Sequence, residues 1–423
     1  MRILLIAYEF PPSASPQSLR WAYLARELAH KGHDLHVLTI DLGGQTPGLP
    51  ELPDSITIHR TYAGPFRGLF AMRRKLRARR QVATETSAAP LPASTSTNLH
   101  GWKRLLSERV QTLLARIVFP DARGEWMPWG RRRLLRLLNE LAPSVVISSH
   151  EPATTLELGL LAKGRGYAWI ADLGDPVLAG YTPARWRLRA NRLEARVCRE
   201  ADAVIVTTEA TRNLLMERHG HRDDVIVVSQ GYDATAETEA ELPVEMDPAR
   251  TELLYTGSLY RFRRMDELLH ALEELPGVRL NIASVSLPDE LMAWAARFPE
   301  RIRLLGFLPH RVALGLQRRA DVLVNIANDD PLQIPGKVYE YLGANRPILH
   351  LGKPDDAIGS LLHRTGRGWA CANDAGDIIR VLKGLAGRRP LLPNDGDGEV
   401  ASHSWQALAG RVEALATGLA EKR

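Results

Sequence analysis

The chain has 423 residues, of which 45% are hydrophobic and 25% charged, with a formal net charge of +6. That length exceeds what one hydrophobic core usually organises, so two domains of roughly 200 residues each are expected. No apolar run approaches the roughly 20 residues that cross a bilayer, and Cys198 and Cys371 match neither a metal nor a disulfide spacing; this excludes a membrane-spanning protein and a disulfide scaffold and fits a reducing, cytoplasmic compartment.

The opening MRILLIAYEFPP has one charged residue before a short apolar run, then two prolines and no small-residue cleavage site, so a buried first strand is expected. Ile3 to Ala7 is continuously apolar, as in a strand covered on both faces of a parallel sheet. Leu19, Trp21, Ala22, Leu24, Ala25 and Leu28 recur at helical spacing over 17–31, Gly32 ends the pattern, and 33–39 alternates into a second strand. This unit opens a doubly wound α/β domain. Its first loop, EFPPSASP, lacks the glycine fingerprint of a dinucleotide site, yet lies at the carboxyl end of the strand, where open sheets bind ligands. Pro12, Ser13, Ala14 and Ser15 are therefore candidates for an acceptor loop.

Residues 64–136 interrupt the rhythm. FRGLFAMRRKLRARR and GWKRLLSERVQTLLARIVF mix apolar residues with cations on either side of TETSAAPLPASTSTN, which is too polar and too rich in Ser, Thr, Ala and Pro to build a core, so a mobile loop is expected. The basic flanks fit two readings equally, a surface for anionic lipid or a solvated helical hairpin. Strands follow at 144–149 and 168–172, the latter leading into DLGDP with Asp172 and Asp175 on the loop beyond it. A helix at 185–199, a strand in ADAVIVTTE, a helix at 210–218 and a strand in VIVVSQGYD complete the first half.

Residues 233–250, DATAETEAELPVEMDPAR, are acidic, poor in aromatics and broken by prolines, and are expected to be a linker. The pattern then restarts, with strands at 253–256, 278–283, 302–305, 322–326 and 347–351 and helices at 266–274, 288–298 and 312–319 and from 335 and 377. The expected division is 1–232, linker 233–250, 251–397, and a C-terminal helix within 398–423 that packs back on the first domain.

In IPGKVYEYLGANRPIL, residues 334–349, Pro335 suits a first helical turn, Val338 and Leu342 share a core face, and Lys337 and Glu340 share another. A cation in the first turn faces the positive end of the helix dipole unless an anion sits nearby. Lys337, the bare backbone at Gly336 and the leading amides would make a phosphate site, and Glu340 could accept from a ribose diol. The bland reading is a solvated i,i+3 ion pair. In YTGSLYRFRR, residues 255–264, Gly257 permits a tight turn, and Arg261 and Arg263 offer cations to a diphosphate. His150 and Glu151 are an alternative acid–base pair, and the DGD at 395–397 is assigned no metal.

Taken in order, YEFPP, LARELAHKGHDLHVLT, READAVIVTTEATRNLL, VVSQGYD, YTGSLYRFRRMDELLHAL, LLGFLP, RRADVLV and PGKVYEYLGANRPIL make most of the chain resemble the retaining GT-B glycosyltransferases of family four. Lys337 has its counterpart in a subgroup reading P-S-K-x-x-E-Y, which acts in bacterial surface-polysaccharide assembly. The resemblance implies two doubly wound Rossmann-like domains facing a cleft, with the acceptor side in 1–232 and the nucleotide-sugar side in 251–397. It implies catalytic roles for Arg261, Lys337 and Asp175, the first two on the diphosphate and the third near the reacting sugar. Donor-binding roles fall to Gly257, Arg263, Gly336, Glu340 on the ribose, and the loop of Gly306, Phe307 and Leu308 at the base.

The implied activity moves a sugar from a nucleotide-diphosphate sugar to a glycan, lipid-linked or small-molecule acceptor with retention, the leaving phosphate taking the acceptor proton. No cofactor, metal or nucleic acid is expected, and the protein is placed in the cytoplasm or peripherally on the inner membrane face. Leu332 stands where many relatives have the first of two glutamates, Ala14 and Ser15 replace a glycine pair, and ASVS at 283–286 replaces a glycine-rich turn. A sugar-nucleotide epimerase of the same fold and a non-catalytic nucleotide-sugar binding protein are the alternatives.

Overall fold

The structure is a computed structural model that describes residues 1–13, 15–43, 49–68, 71–72, 119, 122–236, 241–259, 263–328, 333–385 and 397–422. The chain divides into two compact units, Met1–Val228 with Ala409–Arg423, and Ser229–Leu408.

The first unit is built on seven strands: β1 Arg2–Ala7, β2 Asp34–Ile40, β3 Thr57–Thr61, β4 Val145–His150, β5 Trp169–Leu173, β6 Ala203–Val206 and β7 Val225–Val227. All pair in parallel, in the order β3-β2-β1-β4-β5-β6-β7. The direction of winding reverses between β1 and β4, which makes their carboxyl ends the expected ligand edge. Ile3 to Ala7 is buried throughout because helices cover both faces. Helix Pro16–His30 is started by Ser15, whose hydroxyl accepts from Ser18 N, and the chain leaves it through Gly32 at φ 85°. β3 was not expected from the pattern, since TIHRT is half-buried at the sheet edge and carries little apolar signal. Helix Met127–Leu141 occupies the end of the segment read as an interruption; it buries Leu134, Leu137 and Leu138 and exposes Arg131, Arg132 and Arg136. The basic and Ser/Thr-rich stretch at 73–118 lies outside the described residues.

Asp172 belongs to β5 itself and is fully buried, where a place on the loop was expected. Its Oδ2 accepts from the Trp21 indole at 2.7 Å, from Arg20 Nη1 at 3.1 Å and from Gln17 Nε2 at 3.1 Å. Gln17 also bonds the Ser149 hydroxyl and the His150 carbonyl, and Arg20 donates to the Val228 carbonyl at 2.7 Å. One helix is thus keyed to the ends of β4 and β5 through a buried charge pair.

The second unit has six parallel strands: β8 Thr251–Thr256, β9 Val278–Ala283, β10 Ile302–Gly306, β11 Val322–Ile326, β12 Ile348–Leu351 and β13 Gly368–Cys371, ordered β10-β9-β8-β11-β12-β13. Winding reverses between β8 and β11. The 233–250 segment belongs with this unit: Leu242, Val244 and Met246 pack on its core, and Ala236 accepts from Arg318 Nη1 at 2.7 Å. The C-terminal residues form helices Asp397–Ala401 and Trp405–Glu421. From Ala409 onward the second of these belongs with the first unit, where Glu413 meets Lys31 at 2.8 Å and His33 at 2.9 Å.

Removing one member of a buried ion pair leaves the other uncompensated, which typically costs about 3–5 kcal/mol. Arg20→Ala should therefore lower unfolding stability by about 3 kcal/mol in urea titrations, whereas Arg2→Ala, which breaks a half-exposed pair with Asp34, should change it by less than about 1 kcal/mol.

Candidate active site

In the second unit β8 runs into Gly257 at φ 112°, a left-handed conformation that disfavours any side chain. A Cβ added there would lie 3.8 Å from Cδ of Lys337. Lys337 reaches this turn from helix Gly336–Gly343, whose N-cap is Pro335 at φ −57° and ψ 133°. Proline was expected inside the first turn; it stands one position earlier because its extended ψ ends the incoming loop. No side chain caps this helix, and of its leading amides Val338 N bonds the Pro335 carbonyl at 3.0 Å.

The Lys337 side chain is partly buried, but its Nζ is fully enclosed and has no hydrogen-bond partner among the described residues. It sits 3.6 Å from the centre of the Tyr255 ring and 5.9 Å from that of Tyr341. Burial, and then the charge of Arg263, push the amine well below the usual lysine range, while Glu340 pulls the other way. A desolvated cation over an aromatic face gains roughly 2 kcal/mol, and an unpaired buried polar group loses about 1–3 kcal/mol or more when charged. The neutral amine bears only the smaller penalty of its unmade hydrogen bonds, whereas the ammonium gains from the ring but is left with a larger desolvation deficit, which an incoming anion would remove.

The floor beneath is rigid. Tyr341 Oη accepts from Thr256 N at 2.9 Å and lies 3.1 Å from Thr256 Oγ1, which in turn accepts from Gln317 at 3.1 Å. Arg263 bridges the two strand ends, donating to Asn328 Oδ1 from Nε at 3.1 Å and Nη2 at 2.7 Å, and to the Ser258 carbonyl at 3.1 Å. Arg261 lies outside the described residues, as does Leu332.

Glu340, one turn beyond Lys337, has Oε1 2.9 Å from His310 Nε2. Burial disfavours the imidazolium, but the charge of Glu340, its hydrogen bond and the charge of Asp233 together outweigh it and hold His310 above its usual pKa. His310 opens helix His310–Gln317 directly after the loop of Gly306, Phe307, Leu308 and Pro309. Leu308 packs on the core, whereas Phe307 is 63% exposed and offers a free ring. Gly257, Lys337, Gly336, Glu340 and Arg263 are thus gathered at the β8/β11 ligand edge. Tyr255, Asn328 and His310 were missed: Tyr255 looks like ordinary strand core, and nothing local marks the partners of the other two.

In the first unit, the ends of β1 and β4 carry Glu9, His150 and Glu151. Arg123 Nη2 donates to Glu151 at 3.0 Å, and its Nη1 lies 3.6 Å from Glu9. Tyr181 Oη donates to Glu151 at 2.9 Å and lies 3.2 Å from Asp175 Oδ2, and His150 Nδ1 is 3.0 Å from the Asp175 carbonyl oxygen. Burial would raise the Glu151 pKa, but His150, Arg123 and Tyr181 outweigh it and keep the carboxyl below its usual range. Burial, then the charges of Glu151 and Asp175, drive the Tyr181 phenol upward. Asp175 and the alternative pair His150–Glu151 therefore form one cluster. Arg123 and Tyr181 had no motif to reveal them. In the expected acceptor loop, Ser15 is committed to its helix cap, Ser13 N bonds the Phe10 carbonyl, Pro12 follows Pro11, whose carbonyl accepts from Arg60 at 2.7 Å, and Ala14 lies outside the described residues.

Sucrose-phosphate synthase from Thermosynechococcus elongatus superposes with a TM-score of 0.66 at 15% identity, covering 100% of both chains. Anabaena Alr3699/HepE in complex with UDP gives 0.59 at 13% identity, covering 100% of this chain and 99% of that one. The fold is GT-B. UDP-GlcNAc 2-epimerase from Methanocaldococcus jannaschii also shares this GT-B architecture, with a TM-score of 0.55 at 12% identity over 99% of both chains. Residues 92–236 match the family described as Glycosyltransferase Family 4. The chain therefore has the fold and the family region of a glycosyltransferase. Among curated protein sequences none matches significantly.

Replacing an unpartnered buried amine by an apolar chain of similar length removes a desolvation penalty. Lys337→Met should raise the stability of the ligand-free protein by about 1 kcal/mol, read as a higher melting temperature by calorimetry.

Proposed function

We propose that the chain is a retaining, nucleotide-sugar-dependent glycosyltransferase of the hexosyltransferase type, acting in bacterial polysaccharide or glycoconjugate assembly. The observation that carries this reading is the enclosed, unpartnered Nζ of Lys337 beside an uncapped helix start at the β8/β11 ligand edge of a GT-B unit. Such a site suits a diphosphate, with Lys337 and Arg263 supplying positive charge and the Gly336 backbone allowing close approach. Arg261 would add a further cation. Glu340 would accept from the ribose hydroxyls, and the loop of Gly306, Phe307 and Leu308 would meet the base.

When the bond from the sugar C1 to the diphosphate oxygen breaks, its electron pair goes to the phosphate and the sugar becomes oxocarbenium-like. Cations aimed at that oxygen stabilise the developing charge, and loss of one such donor typically costs about 2.7–4 kcal/mol of barrier. The departing phosphate then takes the proton of the acceptor hydroxyl, which attacks C1 on the face just vacated and retains the configuration. The Asp175, Tyr181, His150 and Glu151 cluster would orient the acceptor, a glycan, a lipid-linked sugar or a small molecule. Protein cations fill the role that a metal ion could otherwise have, so activity should survive EDTA.

UDP, GDP and ADP should be tested for a rise in melting temperature, since a ligand that binds only the native state stabilises it. The matching nucleotide should give a shift that Lys337→Met abolishes even though that variant is more stable alone, and Glu340→Gln should weaken binding about tenfold. A shift left intact in Lys337→Met would defeat the diphosphate assignment. Interconversion of a UDP-sugar without acceptor would favour the epimerase reading instead, and binding without turnover of any donor the non-catalytic one.

Among the described residues no helix is long and apolar enough to cross a membrane. Peripheral contact with an anionic inner membrane face is supported by helix Ala184–Glu200, which exposes Arg185, Arg187, Arg189, Arg192, Arg196 and Arg199 around an exposed Leu188. Arg189 and Arg196 have acidic partners in Glu157 and Glu200, while Arg187 and Arg192 have none among the described residues. At about 1 kcal/mol per surface cation, Arg187→Gln with Arg192→Gln should reduce partitioning onto phosphatidylserine vesicles by more than about tenfold and leave the weak affinity for phosphatidylcholine vesicles unchanged.

A further inference from the structure

The Glu340 carboxylate does not stand alone. Its Oε1 is held 2.9 Å from His310 Nε2, and Oε2 has no partner among the described residues. Both side chains are mostly buried, 22% exposed for His310 and 25% for Glu340, so the contact is shielded from the solvent that weakens surface pairs. The two residues come from separate elements. His310 is the first residue after the loop that carries Phe307, and Glu340 lies one turn into the helix that carries Lys337. The charges facing this pair are those of Asp233, which acts on His310, and Lys337, which interacts with Glu340; Arg263 acts on Lys337 in turn.

We propose that His310 is a positioning residue for the donor: its imidazole fixes Glu340 through Oε1, turns Oε2 toward the ribose diol, and ties the base-side loop to the ribose-side helix. This rests on the reading of Glu340 as the ribose ligand. A carboxylate held by one oxygen has a single orientation in which the other accepts, so the ordering entropy is already spent before the nucleotide arrives. His310 then acts only through Glu340 and only on ligands that carry the ribose hydroxyls. Glutamine places an N–H donor close to the position of Nε2, so His310→Gln keeps the hold on Glu340 without a titrating group, whereas His310→Ala removes it.

The experiment is calorimetric binding of UDP, GDP and ADP, each beside its 2′,3′-dideoxy counterpart, to the full-length wild type, His310→Ala, His310→Gln and Glu340→Gln. For whichever nucleotide binds, His310→Ala should lose about tenfold in affinity for the ribo form and nothing for the dideoxy form, and His310→Gln should recover most of the loss. Donor KM should rise in His310→Ala with kcat held within about twofold. The preference of the wild type for ribo over dideoxy ligand should decline as pH rises through the His310 pKa, where the charge-assisted bond is lost, and should be flat in His310→Gln; taking the ratio cancels the titration of the phosphate itself. Equal losses for ribo and dideoxy ligands in His310→Ala would show a merely structural role and overturn the proposal. If Glu340→Gln discriminates between the two ligands and His310→Ala does not, the proposal fails and the ribose role of Glu340 stands. If Glu340→Gln treats both ligands alike, or no nucleotide binds the wild type, the underlying reading fails first.

Discussion

An enclosed amine with aromatic rings beneath it and no hydrogen bond is an unstable place for a positive charge, and the second unit is arranged around tolerating it. Tyr255 supplies the ring that Nζ rests on, Gly257 turns the chain beside the stem, and Tyr341 locks the strand end through Thr256. The nearby carboxylate of Glu340 gives one oxygen to His310 and makes no hydrogen bond to the Lys337 amine. Arg263 adds a second positive charge nearby and makes the ammonium harder still to keep. Such an arrangement is poor as a stabilising device and good as a receptor for an anion, which is the usual relation between local strain and function.

The first unit solves a different problem with the same topology. Its ligand edge gathers three carboxylates, Glu9, Glu151 and Asp175, around the Arg123 guanidinium and the Tyr181 hydroxyl. A cluster tied by these bonds and rich in carboxylates presents oriented acceptors to a neutral polyhydroxylated partner and does not attract a strong anion. The Asp172–Arg20–Trp21–Gln17 hub fixes the strand ends on which that cluster stands. Two doubly wound sheets thus present one edge that lacks an anion and one edge rich in carboxylates.

Much of this was legible in the chain. Continuous apolar runs such as Ile3–Ala7 mark strands buried on both faces, and Gly257, at φ 112°, marks a turn where any side chain would be strained. The candidate donor residues could be named because they cluster in three short segments, 257–263, 306–308 and 336–340, each with its own local chemistry. What escaped were contacts made across the fold: His310 with Glu340 thirty residues on, Arg123 with Glu151, and Asp172, which sequence places beside Asp175 although one is sealed in the sheet and the other faces its edge. Periodicity reports which way a side chain faces, not what it meets. The strand Thr57–Thr61 was hidden for a related reason, because an edge strand needs little apolar surface to pair with β2.

The ends of the chain carry one more implication. Residues 229–408 are an unbroken stretch, whereas the first unit is assembled from residues 1–228 and the last fifteen, 409–423. The second unit is therefore, in chain order, an insertion within the first. During synthesis it can complete its core while its companion still lacks Glu413, the carboxylate that Lys31 and His33 share. The half made first is the half finished last.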